Sequence, residues 1–222
     1  MIFQAQDPAS FGPEIAESTR KAHEIRYTLL PYLYTLFYYH ETEGGTVARA
    51  LWHEYPKDPI ALSIDTQFLM GQGLMVSPVL EAGKTSVDVY FPDSRWFDYY
   101  QGREVYSRGS TATLPAPLNF INVHLRGGYV YPTQEPALNT EASRLNPLGL
   151  IVALDDNERA EGRMYYDDGD SYGNRTFPFK LNLTCCIVRS LEILFGLYRR
   201  PGKRTVLPGA PYLRKWNAHK RR

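Results

Sequence analysis

The chain reads as a mainly β protein: an antiparallel β-sandwich preceded by a helical segment and followed by the start of a second β-unit. Three observations carry that reading. Residues 14–43 place apolar side chains three and four apart. From 46 to 140, short apolar runs are punctuated by Gly71, Gly73, Pro78, Gly83, Pro92, Gly102, Gly109, Pro115 and Pro117. Within the string Asn119-Phe120-Ile121-Asn122-Val123-His124-Leu125-Arg126, the apolar Ile121, Val123 and Leu125 alternate with Asn122, His124 and Arg126, as on a strand with two different faces.

The helical segment comes first. Ile25, Leu29, Tyr32, Leu33, Leu36 and His40 form its stripe. Pro31 either opens a new helix in its first turn or kinks the old one, and Gly44-Gly45 ends it. The runs 46–51, 68–70, 74–79, 86–91, 96–100, 123–125 and 129–131 are candidate strands. The 65–71 stretch has a short helical turn as an alternative start. Glu81-Ala82-Gly83-Lys84 reads as a hairpin turn. The strand around Val123 is expected at an edge or half-buried, with Gly127-Gly128 marking a bulge or a close backbone approach before a run that ends at Pro132. Two further strands are expected at 148–154 and 163–166, with 155–162 between them.

A length of 222 residues with 43% hydrophobic content supports one or two domains with a real core. The net charge of +1 gives no global pull toward nucleic acid. That balance hides a break: residues 1–184 hold 15 Lys and Arg against 23 Asp and Glu, a net of −8, whereas 185–222 hold 10 against one, a net of +9. No signal peptide is read at the first residues, and no apolar run reaches the roughly 18–20 residues of a membrane span. The adjacent pair Cys185 and Cys186 is too strained to bridge itself.

The 119–132 string, with Arg26-Tyr27-Thr28-Leu29-Leu30-Pro31-Tyr32-Leu33-Tyr34 upstream and Glu135-Pro136-Ala137-Leu138-Asn139-Thr140 downstream, resembles the C-terminal part of glycoside hydrolase family 31, the α-glucosidase family. Further strings match in family order: Gly73-Leu74-Met75-Val76-Ser77-Pro78-Val79-Leu80, Val89-Tyr90-Phe91-Pro92, Trp96-Phe97-Asp98-Tyr99-Tyr100-Gln101-Gly102, Leu114-Pro115-Ala116-Pro117-Leu118 and Tyr165-Tyr166-Asp167-Asp168-Gly169-Asp170-Ser171. The resemblance implies that residues 1–45 are the terminal helical part of a (β/α)8 catalytic barrel, with 14–43 its last helix. Residues 46–147 are then a proximal β-sandwich, 148–184 the start of a distal β-domain, and 185–222 a basic tail outside the resemblance, expected to be disordered.

The resemblance also names a chemistry. Retaining glycosidases need two carboxyl groups about 5–5.5 Å apart, one as nucleophile and one as acid and base. The family carries both as barrel aspartates, in Trp-x-Asp-x-Asn-Glu-like and Arg-x-x-Gly-Asp-like strings, and neither string is present here. No catalytic residue is therefore assigned, and the chain is expected to be inactive alone, its partner being the barrel portion of the parent enzyme. Full-length members take maltose, starch or glycogen and are lysosomal, secreted or at the cell surface. No cofactor is expected.

The remaining acidic clusters, Asp155-Asp156 and Asp167-Asp168-x-Asp170, read as turn formers. A calcium loop at Asp168 fails because Tyr172 stands at a ligand position and Phe179 at the closing one. His23, His40, His53, His124 and His219 are dispersed without zinc spacing, and His53 is expected to hydrogen-bond structurally. Asn174 and Asn182 open glycosylation sequons. Two alternatives stand beside the enzyme-fragment reading. One is a carbohydrate-binding sandwich using Trp96, Tyr99 and Tyr100, although Trp52 and Trp96 fall where core packing is expected. The other is an interaction protein resting on the basic tail.

Overall fold

The computed structural model describes residues 7–167 and the backbone of one further strand, 179–186. Asp168, Asp170, Asn174, His219 and the tail beyond Cys186 lie outside the described residues.

The stripe of 14–43 becomes two helices, α1 (Pro13–Thr28) and α2 (Leu30–Glu43), separated at Leu29. Pro31 sits in the first turn of α2, where its missing N–H has no partner to lose. Gly44, at φ 82°, ends α2 while its amide still reaches the His40 carbonyl at 3.1 Å.

Six strands form the first sheet: β1 (Ala48–Ala50), β2 (Phe68–Met70), β3 (Leu74–Ser77), β5 (Trp96–Asp98), β6 (Glu104–Val105) and β8 (Asn122–Arg126), in the order β1-β2-β3-β8-β5-β6. Neighbours are antiparallel throughout. Strands β4 (Ser86–Phe91) and β7 (Ser110–Pro115) pair as a separate ribbon over one face.

Several local expectations change. The 46–51 run stops at Ala50, and Leu51 opens the short helix α3 (Leu51–Glu54), so His53 is helical. The expected helical turn falls at Ala61–Ser63 rather than inside 65–71. The 81–84 turn is not a hairpin, because β3 and β4 lie in different sheets. Most instructive is β8. It is central, between β3 and β5, and Asn122, Val123, His124 and Leu125 are all buried. The alternation is real, but both faces are covered.

At Gly127-Gly128 the chain leaves the first sheet for a second, ordered β10-β9-β11-β12, from β9 (Tyr129–Gln134), β10 (Leu148–Ala153), β11 (Arg159–Tyr166) and β12 (Phe179–Cys186). A Cβ on Gly127 would lie 2.6 Å from the Leu154 carbonyl oxygen, and Gly128 has φ 95°, so the expected close approach is present. Strand β9 runs on past Pro132, whose register partner is Leu150. This sheet draws strands from both sides of residue 147. The helix α4 (Thr140–Arg144) spans the connection, with Asn139 accepting from the Ala142 amide as its cap.

Two cores result. Leu69, Met75, Val89, Phe91 and Trp96 pack between the first sheet and the ribbon. Leu29, Tyr32, Leu74, Val123, Leu125 and Tyr131 pack between the opposite face, α2 and the second sheet.

Candidate functional site

The densest set of specific contacts between distant segments lies along α2. On one side Tyr32 reaches the first sheet: its hydroxyl donates to the Met70 carbonyl at 2.8 Å, and its ring lies 5.2 Å from that of Tyr131. The Tyr131 hydroxyl in turn lies 2.9 Å from the Gly73 carbonyl oxygen and 3.0 Å from that of Arg126. Only glycine fits at 73, since a Cβ there would come 2.4 Å from the Tyr131 hydroxyl. Burial holds both phenols well above the ordinary tyrosine range, so neither ionises near neutral pH.

On its other side α2 meets β11. Residues 34, 35, 38, 39 and 43 recur at helical spacing, while 163, 165 and 167 alternate on or beside one strand, so two periodicities interlock. The Tyr165 amide donates to the Thr35 hydroxyl at 3.0 Å. The Tyr165 ring stacks on Tyr38 at 3.7 Å and 8°. Arg163 lies over the Tyr39 ring at 4.7 Å and pairs with Glu43 at 2.9 Å. Asp167 closes the row. It accepts from the Tyr34 hydroxyl at 2.9 Å and the Tyr165 hydroxyl at 2.8 Å, with the Arg144 guanidinium 3.7 Å away. Burial, then the bond to Asp167, pushes the Tyr165 phenol well above its usual range. Asp167 is thus a clasp between α2, α4 and the end of β11 rather than a turn former.

A second ionic group supports the same region. Glu54, from α3, accepts from Arg49 Nη1 at 2.5 Å and lies 3.5 Å from Arg126 Nη1. Arg126 also covers the Tyr55 ring at 4.6 Å. The Tyr55 phenol is pushed up to about 12, chiefly by burial.

The other sequence-level candidates do not converge on a site. Asp155 forms a turn, accepting from the Asn157 and Arg159 amides at 2.8 and 2.9 Å, and those bonds hold its carboxyl low. Asp156 pairs with Arg108. Hydrogen bonds from Arg95 hold Glu104 low as well. A glycosidase general acid needs the opposite shift. Trp96 is fully buried and donates to the Pro92 carbonyl, on the face opposite Tyr99, so these two cannot share an aromatic platform. Tyr100 is partly exposed, its hydroxyl donating to the Ile121 carbonyl at 2.7 Å. Trp52 is not in the core but 45% exposed, stacked on His53. His124, by contrast, is deeply buried against Phe91. Asn182 falls within β12, in register with Arg163. Among the described residues no group of three or more His, Cys, Asp or Glu could hold a metal ion, and no helix is long and apolar enough to cross a membrane.

Sequence reasoning missed the α2–β11 contact because its side chains are polar or aromatic. The usable signal was the tyrosine spacing of 34 and 38 against the alternation of 163, 165 and 167.

Comparison with known proteins then places these elements. Residues 44–131 match the family model for the glycosyl hydrolase family 31 C-terminal domain, and residues 2–36 match that for the glycosyl hydrolases family 31 TIM-barrel domain. The chain is 49% identical over 175 residues to a probable maltase-glucoamylase 2 of Homo sapiens, covering 78% of this chain and 7% of that protein. It is 48% identical over 168 residues to the intestinal sucrase-isomaltase of Rattus norvegicus, covering 76% and 9%. Against the lysosomal alpha-glucosidase of the same species it is 43% identical over 186 residues, covering 76% and 20%. Among solved structures, a glucosidase II alpha subunit superposes with a TM-score of 0.74 at 29% identity, covering 82% of this chain and 20% of that one. A Flavobacterium johnsoniae dextranase complexed with glucose superposes at 0.75 and 30% identity, covering 83% and 23%. The chain therefore spans between 7% and 20% of the length of these curated relatives.

Proposed function

Because the chain belongs to glycosyl hydrolase family 31, we propose that it is the C-terminal region of an α-glucosidase, bracing a catalytic barrel without itself carrying the nucleophile or the acid and base. In the complete enzyme the reaction is retaining hydrolysis of terminal α-linked glucose from maltose, starch or glycogen. Residues 1–45 supply the end of the barrel and 46–147 the proximal sandwich, while 148–184 begin a distal unit whose sheet also takes β9 from before residue 147.

One observation carries the reading. Helix α2, which begins inside the barrel-domain match, is held by Tyr32 to the first sheet and by Tyr34, Thr35 and Tyr38 to β11. A helix bound on two sides to β-structure transmits the position of that structure to whatever the helix belongs to. The half-buried carboxylates support the same reading. Glu54, Glu104 and Asp167 are each held by arginine or tyrosine, which suits scaffolding and not proton transfer.

The test is glucose release from maltose by the purified chain, at an acidic and at a near-neutral pH. No release above buffer is expected. Turnover that disappears in Asp167→Asn would overturn the proposal and move the chemistry to the clasp.

A further inference from the structure

An open cleft of about 480 Å³ lies beside β1 and β2, away from the α2 joint. Trp52, Ile64 and Phe68 form apolar wall, and Ser63 and Asp65 stand on it as polar groups. Trp52 is 45% exposed and presents indole surface to the cleft. Its ring is not loose: His53 stacks on it at 3.7 Å and 19°. Asp65 is exposed, and among the described residues neither its carboxylate nor the Trp52 indole N–H has a hydrogen-bond partner.

We propose that this cleft is an accessory binding site for a glucosyl unit of an α-linked glucan. A pyranose has an apolar face of C–H bonds and a rim of hydroxyls that both donate and accept. The first fits the indole and the second fits a carboxylate acceptor. Other ligand classes fit less well. Arg49, also on the cleft wall, has both terminal nitrogens committed, Nη1 donating to Glu54 at 2.5 Å and Nη2 to the Thr46 carbonyl at 2.6 Å, while its Nε has no partner among the described residues but is buried away from solvent. An anion would thus meet Asp65 with no cation to hold it. A wholly apolar partner would strip water from Asp65 and offer nothing in return. A neutral polyol with one apolar face satisfies both groups. The glucosyl identity rests on the family reading, whereas the cleft, its indole and its carboxylate do not.

The test is titration of the full chain, with labelled tryptophan, against maltotriose, isomaltotriose and β-linked cellotriose, followed by indole N–H signals in NMR. The chain has three tryptophans, and the Trp52 signal is identified by its absence in Trp52→Ala. A saturable, millimolar shift of that signal with the α-linked sugars is expected. Asp65→Asn should weaken it about tenfold through loss of a charge-assisted hydrogen bond. Both variants should keep the thermal midpoint, because both side chains are exposed. Absence of a saturable shift, or shifts elsewhere that persist unchanged in Trp52→Ala, overturns the site. Equal binding of cellotriose overturns the α-linked assignment. Neither outcome bears on maltose turnover, so the brace reading stands or falls separately.

Discussion

Thr35 and Tyr165 are 130 residues apart and share one hydrogen bond, the Tyr165 amide donating to the Thr35 hydroxyl at 3.0 Å while that hydroxyl donates onward to the Pro31 carbonyl at 2.7 Å. Thr35 is 3% exposed. One small side chain therefore satisfies a β11 amide and ties it to the first turn of α2.

Replacing Thr35 by valine keeps the shape and removes both bonds. The Tyr165 amide would then be buried without a partner, at a cost of about 1–3 kcal/mol. Thr35→Ser should retain most of the stability. Urea unfolding midpoints of the two variants against the parent chain provide the comparison. Equal midpoints for Thr35→Val and the parent would remove the bond from the account.

His124 predicts an acid-sensitive fold. Burial holds its imidazole down at about 4, with Asp98 opposing weakly from β5, and its Nδ1 has no partner among the described residues. Met75 is its register partner on β3, and the edge of the ring meets Phe91. An unfolded histidine titrates near 6.5. Between about 6.5 and 4 the unfolded chain holds the extra proton, so the contribution of His124 to stability is present above that window and lost as pH falls through it. The slope approaches about 1.4 kcal/mol per pH unit. Unfolding curves at stepped pH should flatten across this window in His124→Leu. A parallel slope in that variant would assign the acid sensitivity to other groups.

Glu54 stands between Arg49 and Arg126 with its side chain only 10% exposed. Glu54→Gln leaves two partly shielded guanidiniums facing each other without a counter-charge. A loss of about 2–3 kcal/mol is expected, less than for a fully dry pair because both arginines keep some contact with water. The loss should shrink at high salt, measured as the difference in midpoint between parent and variant. A salt-independent loss would point to packing instead.

Where the sequence was readable, local pattern and final environment agreed. Ser86–Phe91 was read to its exact ends because its alternation is bounded by a turn and a proline. The Gly127-Gly128 break was legible because glycine has few other reasons to be doubled inside a strand pattern. Other elements were hidden. Ser110–Pro115 is rich in Ser and Thr and carries a weak apolar signal, so its pairing with β4 rests on the ribbon's register. The burial of His124 was hidden because alternation reveals two faces without saying what covers each. Trp52 was misplaced for the converse reason: a short helix interrupts the expected strand and turns the indole outward. The clasp at Asp167 was illegible because it depends on three separate elements meeting.

The two-glycine crossing has an evolutionary corollary. Strand β8 ends in one sheet and β9 begins the other after only two intervening residues, and the two sheets share one core, so they cannot be exchanged as independent modules. A recombination event within β8 or between Tyr129 and Ala153 would orphan a strand, and one at Gly127-Gly128 would keep every strand in its sheet but split the core that Val123 and Leu125 share with Tyr131 and Ala153. Descendants of this architecture should therefore inherit both sheets as one block, and insertions should accumulate in the turn at 81–84 and the loop before β7, where no sheet has to be reopened.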